Sequence, residues 1–256
     1  MEKIIFFGNG PLAEHALKVL EKHFEIIFHA KTKDDLEFVK KMKATHPSAH
    51  GVLASFGVIV KSGILELFEP EGILNIHPSL LPKYRGASPI ETAILNGDTS
   101  FSVSIMKLVK AMDAGPLYYQ ETFDHLPLNK ETIYETLATA GAKWIAKNLE
   151  NLPEPKLQDD SKATFTTKFD KSLSLLKPEK YTAEELFRQV VAYAGYPKSK
   201  YEFYGKECII LEAEAADDAS LLSIKCKDGK FLQIKSIQPA GKKPMDAKSF
   251  LNGYAK

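Results

Sequence analysis

Short apolar runs alternate with helical periods along the first half of the chain. Residues 3–7 form an apolar run that ends in Gly8-Asn9-Gly10. Over residues 11–22, Leu12, Ala16, Val19 and Leu20 recur at helical spacing. A second run covers 25–28, and Thr32 is placed to cap a helix ending near Lys43, with Leu36, Val39 and Met42 on one face. A third run covers 51–54, a loop or short helix follows from Phe56 to Val60, and a fourth run covers 73–76. Strands alternating with helices predict an α/β domain built on an open, mostly parallel, Rossmann-like sheet. Further strands are predicted over 102–108 and 117–123, and a long helix over 130–149, with Trp144 in its core-facing side.

The pattern changes after residue 152. Residues 153–172 are rich in Pro, Asp, Ser, Thr and Lys and lack a sustained apolar period. They read as a linker between a domain at 1–152 and a second domain at 173–256. The second domain opens with a helix over 182–194, where Thr182 and Glu185 have the spacing of a capping box. Short strands follow over 201–203, 208–213, 221–226 and 231–237, separated by turn residues. That pattern predicts a small β-barrel.

The formal net charge of +1 supplies no strong global field, so nucleic-acid binding would need a local patch. Lys225, Lys227, Lys230, Lys235, Lys242 and Lys243 are concentrated near the end and are candidates for one. Solvated strand faces have the same composition. The two cysteines, Cys208 and Cys226, lack ligand-spaced neighbours and suggest neither a zinc site nor a disulfide framework. No apolar stretch is long enough to span a bilayer, and residues 1–7 run directly into a strand. The expectation is a cytoplasmic protein with no metal and no membrane partner.

Candidate chemistry is densest in GILNIHPSLLPKYRGASP, residues 72–89. Asn75 and His77 are two apart on a strand and so project from one face. They lie at a carboxyl end of the sheet, where ligands bind in such folds. Pro78 and Pro82 hold an extended loop, and Ser88-Pro89 marks a helix start. Downstream, Asp113 occupies a Gly/Pro loop after a strand. An amide, an imidazole and a carboxylate on separate strand-end loops suit acyl-group chemistry. Gly8-x-Gly10-x-x-Ala13 also fits a dinucleotide fingerprint, but the second strand ends in Phe28-His29-Ala30-Lys31, without the usual acidic residue. Lys31 would suit an NADP-type site. The other reading is a tight strand-to-helix turn.

Asn75-x-His77-x-Ser79-Leu80-Leu81-Pro82, Arg85-Gly86-Ala87-x-Pro89-Ile90 and Asp113-x-Gly115 together resemble the folate-dependent formyltransferases. The Arg85 to Ile90 spelling is closer to the methionyl-tRNA formyltransferases than to the purine-pathway enzymes. The tail from Gln238 to Gly253 is similar to the C-terminal end of the same group. The resemblance implies a formyltransferase sheet domain joined to an OB-like barrel that binds tRNA. It implies transfer of the formyl group of 10-formyltetrahydrofolate to the amine of initiator methionyl-tRNA, for translation initiation, by a monomer.

By the same resemblance, Asn75, His77 and Asp113 are catalytic. Ser79, Leu80, Leu81 and Pro82, with Phe56, Gly57, Val58 and Ile59, line the folate site. Lys31, Lys33, Lys83, Arg85, Lys242 and Lys243 are candidate tRNA contacts. One feature departs from the family: the long basic insertion after the second strand is missing, and Lys31 runs straight into the next helix. That leaves room for a smaller amine acceptor such as an amino-sugar nucleotide. A non-catalytic RNA- or folate-binding protein is the third reading, and the intact Asn75, His77 and Asp113 argue against it.

Overall fold

The computed structural model describes residues 1–255. They divide into two units, one of Met1–Ile90 with Thr99–Thr167, the other of Glu91–Asp98 with the chain from Lys168 onward. In chain order the first part contains β1 (Lys3–Phe7), α1 (Pro11–Leu20), β2 (Glu25–Ala30), α2 (Leu36–Thr45), β3 (His50–Leu53), α3 (Ser62–Leu65), β4 (Ile73–His77), α4 (Pro89–Asn96), β5 (Ser100–Lys107), β6 (Leu117–Asp124) and α5 (Lys130–Asn148). The six strands form one sheet in the order β2-β1-β3-β4-β5-β6. β2, β1, β3 and β4 pair in parallel, whereas β5 and β6 are added antiparallel.

The apolar runs explain this order. Ile4, Ile5, Phe6 and Phe7 of β1 are fully buried, as a parallel strand covered on both faces must be. β6 carries Tyr, Gln, Glu and Asp among its apolar positions, is only partly buried and takes the sheet edge. β4 is buried along its whole length, its polar Asn75 and His77 included. Because β5 pairs antiparallel to β4, its Ser104 lies beside His77.

Two local expectations are revised. Thr32 does not cap α2, which begins at Leu36. Instead Asp35 turns its carboxylate back onto the N–H groups of Lys31 and Thr32, both at 2.8 Å. An ionised carboxylate is the stronger acceptor for two adjacent amides, and those amides hold the Asp35 pKa below its usual value. The stretch read as a linker is also not a loose crossing. Lys156 exchanges backbone hydrogen bonds with Leu117, at 2.7 and 2.8 Å, and residues up to Thr167 belong to the first unit. Backbone pairing leaves no apolar period to read. The strands of the second unit form one antiparallel sheet.

This second unit contains α6 (Ala183–Ala192), β7 (Ser199–Phe203), β8 (Lys206–Ala216), β9 (Ser223–Lys225), β10 (Phe231–Pro239), β11 (Met245–Asp246) and α7 (Ala247–Tyr254). Its strands run in the order β11-β10-β8-β7, with β9 on β10. Leu186 and Val190 of α6 and Phe250 of α7 pack with Ile210, Leu232 and Ile237. Cys208 and Cys226 are both buried and free. Burial pushes both thiols above their usual pKa, which keeps them protonated. Among the described residues, no helix is long and apolar enough to cross a membrane.

The capping box of α6 is present in full: Thr182 Oγ1 accepts from the Glu185 N–H, and Glu185 accepts from the Thr182 N–H at 2.7 Å. The Thr182 backbone and hydroxyl hold the Glu185 pKa below its ordinary value of 4.5. A carboxyl lowered on folding contributes stability that is complete above its unfolded pKa and is lost as pH falls through the lowered value. Glu185→Ala should therefore cost most stability near neutral pH. The cost should shrink as pH drops below 4.5, read by denaturant unfolding of both proteins across that range.

Candidate active site

β4 delivers Asn75 and His77 to one face at its carboxyl end. Asn75 is 5% exposed, and its carboxamide has no protein hydrogen-bond partner among the described residues. It is not among the buried unsatisfied groups, so the carboxamide reaches solvent and its donors and acceptor are open to a ligand. His77 is equally enclosed, and its Nε2 lies 3.1 Å from the Tyr84 carbonyl oxygen. A carbonyl only accepts, so Nε2 carries the proton in that bond. Nδ1 is left facing Asp113 Oδ1 at 3.7 Å, an ion-pair distance rather than a hydrogen bond.

Asp113 sits in the left-handed region, at φ 48°, and its Oδ2 accepts from the Gly86 N–H at 2.8 Å. Two glycines allow the loops to close this tightly. A Cβ on Gly115 would lie 1.8 Å from the Lys107 carbonyl oxygen, so the Asp113 loop presses directly on the end of β5. Gly86, at φ 118°, would drive a Cβ to 2.7 Å from Thr166 Oγ1.

The loop from Pro78 to Arg85 borrows most of its hydrogen bonds. The fully buried Ser104 of β5 donates to the Ser79 carbonyl at 2.6 Å and accepts from the Leu81 N–H at 3.1 Å. Gln120 donates to Ser104 Oγ and to the Leu81 carbonyl. Ser79 Oγ donates to the Lys83 carbonyl at 2.6 Å. From the other side, residues 164–166 pair with 82–85: Arg85 N–H to Thr164 O at 2.9 Å, Thr166 N–H to Arg85 O at 2.8 Å. Tyr84 N–H donates to Thr164 Oγ1 at 2.8 Å. Ser104, Gln120, Gln158, Thr164 and Thr166 carry no motif spelling, so no sequence signal points to them.

The other expected site residues separate into groups. Leu80 and Ile59 are exposed, at 42% and 82%, and Gly57 is exposed with them. Val58 and Pro82 are half-buried. Leu81 is buried. Phe56 is a correction: its ring is buried edge-on against Phe7, 5.6 Å between centroids, and belongs to the core of the sheet. Arg85 is a second correction. Its expected solvent-facing charge is buried, taken up by Gln158 and by Asp160 at 2.6 Å, which removes it from the phosphate contacts. Lys31, Lys33 and Lys83 are exposed.

In the second unit, Lys227, Lys230 and Lys235 pair with Glu185, Asp217 and Glu214. Lys242 and Lys243 are exposed and make no ion pair among the described residues. The glycine turn after β1 uses its own amides: Gly8 N–H donates to Ala30 O and Asn9 N–H to Ser55 O. Those groups are spent inside the protein, which favours the tight-turn reading over a phosphate cradle. No group of three or more His, Cys, Asp or Glu placed to hold a metal occurs among the described residues.

Residues 10–149 match the model described as Formyl transferase, and residues 179–255 match Formyl transferase, C-terminal domain. The chain is 35% identical over 225 residues to the methionyl-tRNA formyltransferase of Anaplasma marginale, covering 79% of this chain and 69% of that protein. Among solved structures it is similar to a HypX variant from Aquifex aeolicus, with TM-score 0.76 and 17% identity over 99% of this chain. It spans 49% of that HypX chain. It is also similar to WlaRD, a sugar 3N-formyl transferase, with TM-score 0.66 and 19% identity, covering 95% of this chain and 99% of that one. At such identities the structural likeness establishes the fold alone.

Ser104→Ala should test how the loop is held. Its loss leaves the Ser79 carbonyl and the Leu81 N–H without their buried partner, at a cost of about 1–3 kcal/mol. Equilibrium unfolding should show a lowered midpoint with an unchanged denaturant slope. A midpoint equal to that of the unmodified protein would mean that the loop is held elsewhere.

Proposed function

The chain belongs to the formyl transferase family, and from that membership we propose that it transfers the formyl group of 10-formyltetrahydrofolate to the α-amine of initiator methionyl-tRNA. The observation that carries this is the Asn75 carboxamide, left without a protein partner and open to solvent on the same face of β4 as His77. The named relatives supply the acceptor, being methionyl-tRNA formyltransferases. HypX has been solved with tetrahydrofolic acid, which supports folate as the donor in this fold.

The bound folate supplies an activated formyl group. Asn75 donates its free amide hydrogens to the negative charge that develops on the formyl oxygen as the amine attacks. One such donor is worth about 10²–10³ in rate. His77, fixed at Nε2 by Tyr84, donates from Nδ1 to the same centre when it is protonated, a form that the Asp113 carboxylate 3.7 Å away supports. Asp113 takes the proton of the attacking amine, directly or through water. The new bond joins the amine nitrogen to the formyl carbon, the bond from that carbon to folate nitrogen breaks, and the folate nitrogen regains a proton. On this reading the exposed Leu80 and Ile59 form walls of the folate site, with Leu81 beneath them.

The second unit, in this proposal, is an OB-like module that tracks tRNA phosphates with Lys242 and Lys243. The shortened turn after β2, closed by Asp35, leaves Lys31, Lys33 and Lys83 as the exposed cations nearest the acceptor end. The structural likeness to a sugar formyl transferase keeps a small amine as the second reading.

Asn75→Ala should lower turnover by about 10²-fold or more with little change in folate affinity. A formyl-transfer assay with charged initiator tRNA beside amino-sugar nucleotides decides the acceptor. Near-normal turnover in the variant removes Asn75 from the mechanism, and efficient transfer to a sugar amine alone selects the second reading. Replacing Lys242 and Lys243 together by alanine should weaken tRNA binding at low salt and make its log–log salt dependence shallower. The expected change is about 0.7–0.9 per lost phosphate contact. An unchanged slope would clear both lysines of a role.

A further inference from the structure

We propose that Gln158 is a positioning residue for the reaction, holding the Asp113 loop in place through its side-chain amide. Its Nε2 donates to the Asp113 carbonyl at 2.8 Å and to the Gly115 carbonyl at 2.7 Å. Its Oε1 accepts from Arg85 Nε at 3.1 Å and from an Arg85 terminal nitrogen at 2.7 Å. Two carbonyls on one side and a guanidinium on the other admit only this orientation of the amide. The four bonds therefore specify glutamine: a carboxylate has nothing to donate, and an aliphatic side chain has neither function.

The hold acts where it is needed. Asp113 adopts a left-handed backbone at φ 48°, a conformation that persists only when its surroundings impose it. The Asp113 carboxylate is gripped separately by the Gly86 N–H, at 2.8 Å, and Gly86 follows Arg85 in sequence. Gln158 thus links the backbone of Asp113 to the residue beside the donor that holds its carboxylate. Arg85 is anchored in turn by Asp160 at 2.6 Å. The segment 156–166, which lacks any motif, becomes the outer support of the site. Gln158 itself touches none of the three catalytic side chains, so it acts through Asp113. A loop displaced by about 1 Å can cost up to 10²-fold in rate.

This inference rests on Asp113 belonging to the reacting centre. The test pairs two variants of the full chain. Gln158→Leu removes both functions of the side chain, whereas Gln158→Glu keeps the acceptor for Arg85 and loses the donor to Asp113 and Gly115. Both should lower kcat by about 10- to 100-fold, with KM for donor and acceptor within about twofold of normal. Both should also move the side-chain ¹⁵N resonances of His77 at fixed pH in the direction that Asp113→Asn moves them. If Gln158→Glu keeps full turnover, the residue only ties its segment to Arg85 and the proposal falls. If the His77 resonances stay put in both variants, it also falls, whatever the turnover. Full turnover in Asp113→Asn would instead overturn the catalytic assignment of Asp113. The His77 resonances then still report whether Gln158 holds the loop.

Discussion

The loop that leaves β4 at His77 is the constraint on which the site depends. It carries two prolines, forms no regular structure and buries Ser79, Leu81 and Arg85, so its enclosed backbone polar groups must find partners. Ser104 and Gln120 supply them from β5 and β6, and Thr164 and Thr166 supply them from the returning chain. His77 is oriented by one product of that arrangement, the Tyr84 carbonyl. Asp113 is oriented by another, the Gly86 N–H. The placement of His77 and Asp113 is thus a consequence of how a loop with two prolines is satisfied.

The antiparallel addition of β5 to an otherwise parallel core is what makes this work. A parallel neighbour would require a crossover and would leave its own carboxyl end beside that of β4. Instead β5 runs back from the site, so its residues from Ser104 to Lys107 lie alongside β4. The Asp113 loop then leaves β5 close to where β4 begins and returns against the Lys107 carbonyl. Sheet direction, rather than any single contact, brings the Ser104 hydroxyl under the loop.

The cations follow the same logic of satisfaction. Arg85 is the most motif-like basic residue in the chain, yet its fork of donors is spent on Gln158 and Asp160 inside the first unit. Three of the six late lysines, Lys227, Lys230 and Lys235, are matched with acids. Lys242 and Lys243, in a turn after β10, remain free for a polyanion. Charge counting along a sequence overstates a binding patch because it cannot see these pairs.

The sequence by itself determined the alternation of strands and helices and the capping box of α6, and its motifs singled out Asn75, His77 and Asp113 as candidates. All of these are local: period, cap spacing and short motifs lie within a few residues of one another, where side-chain periodicity and turn chemistry act directly. The tertiary structure alone decided the burial of Arg85, the place of Phe56 in the core and the roles of Ser104, Gln120 and Gln158. Gln158 is 45 residues from Asp113 and 73 from Arg85. Its segment is held by backbone hydrogen bonds, which any non-proline residue can make and which leave no pattern in the choice of side chains. Motifs record the groups that meet substrate, whereas the groups that hold them in place meet only when the sheet has formed.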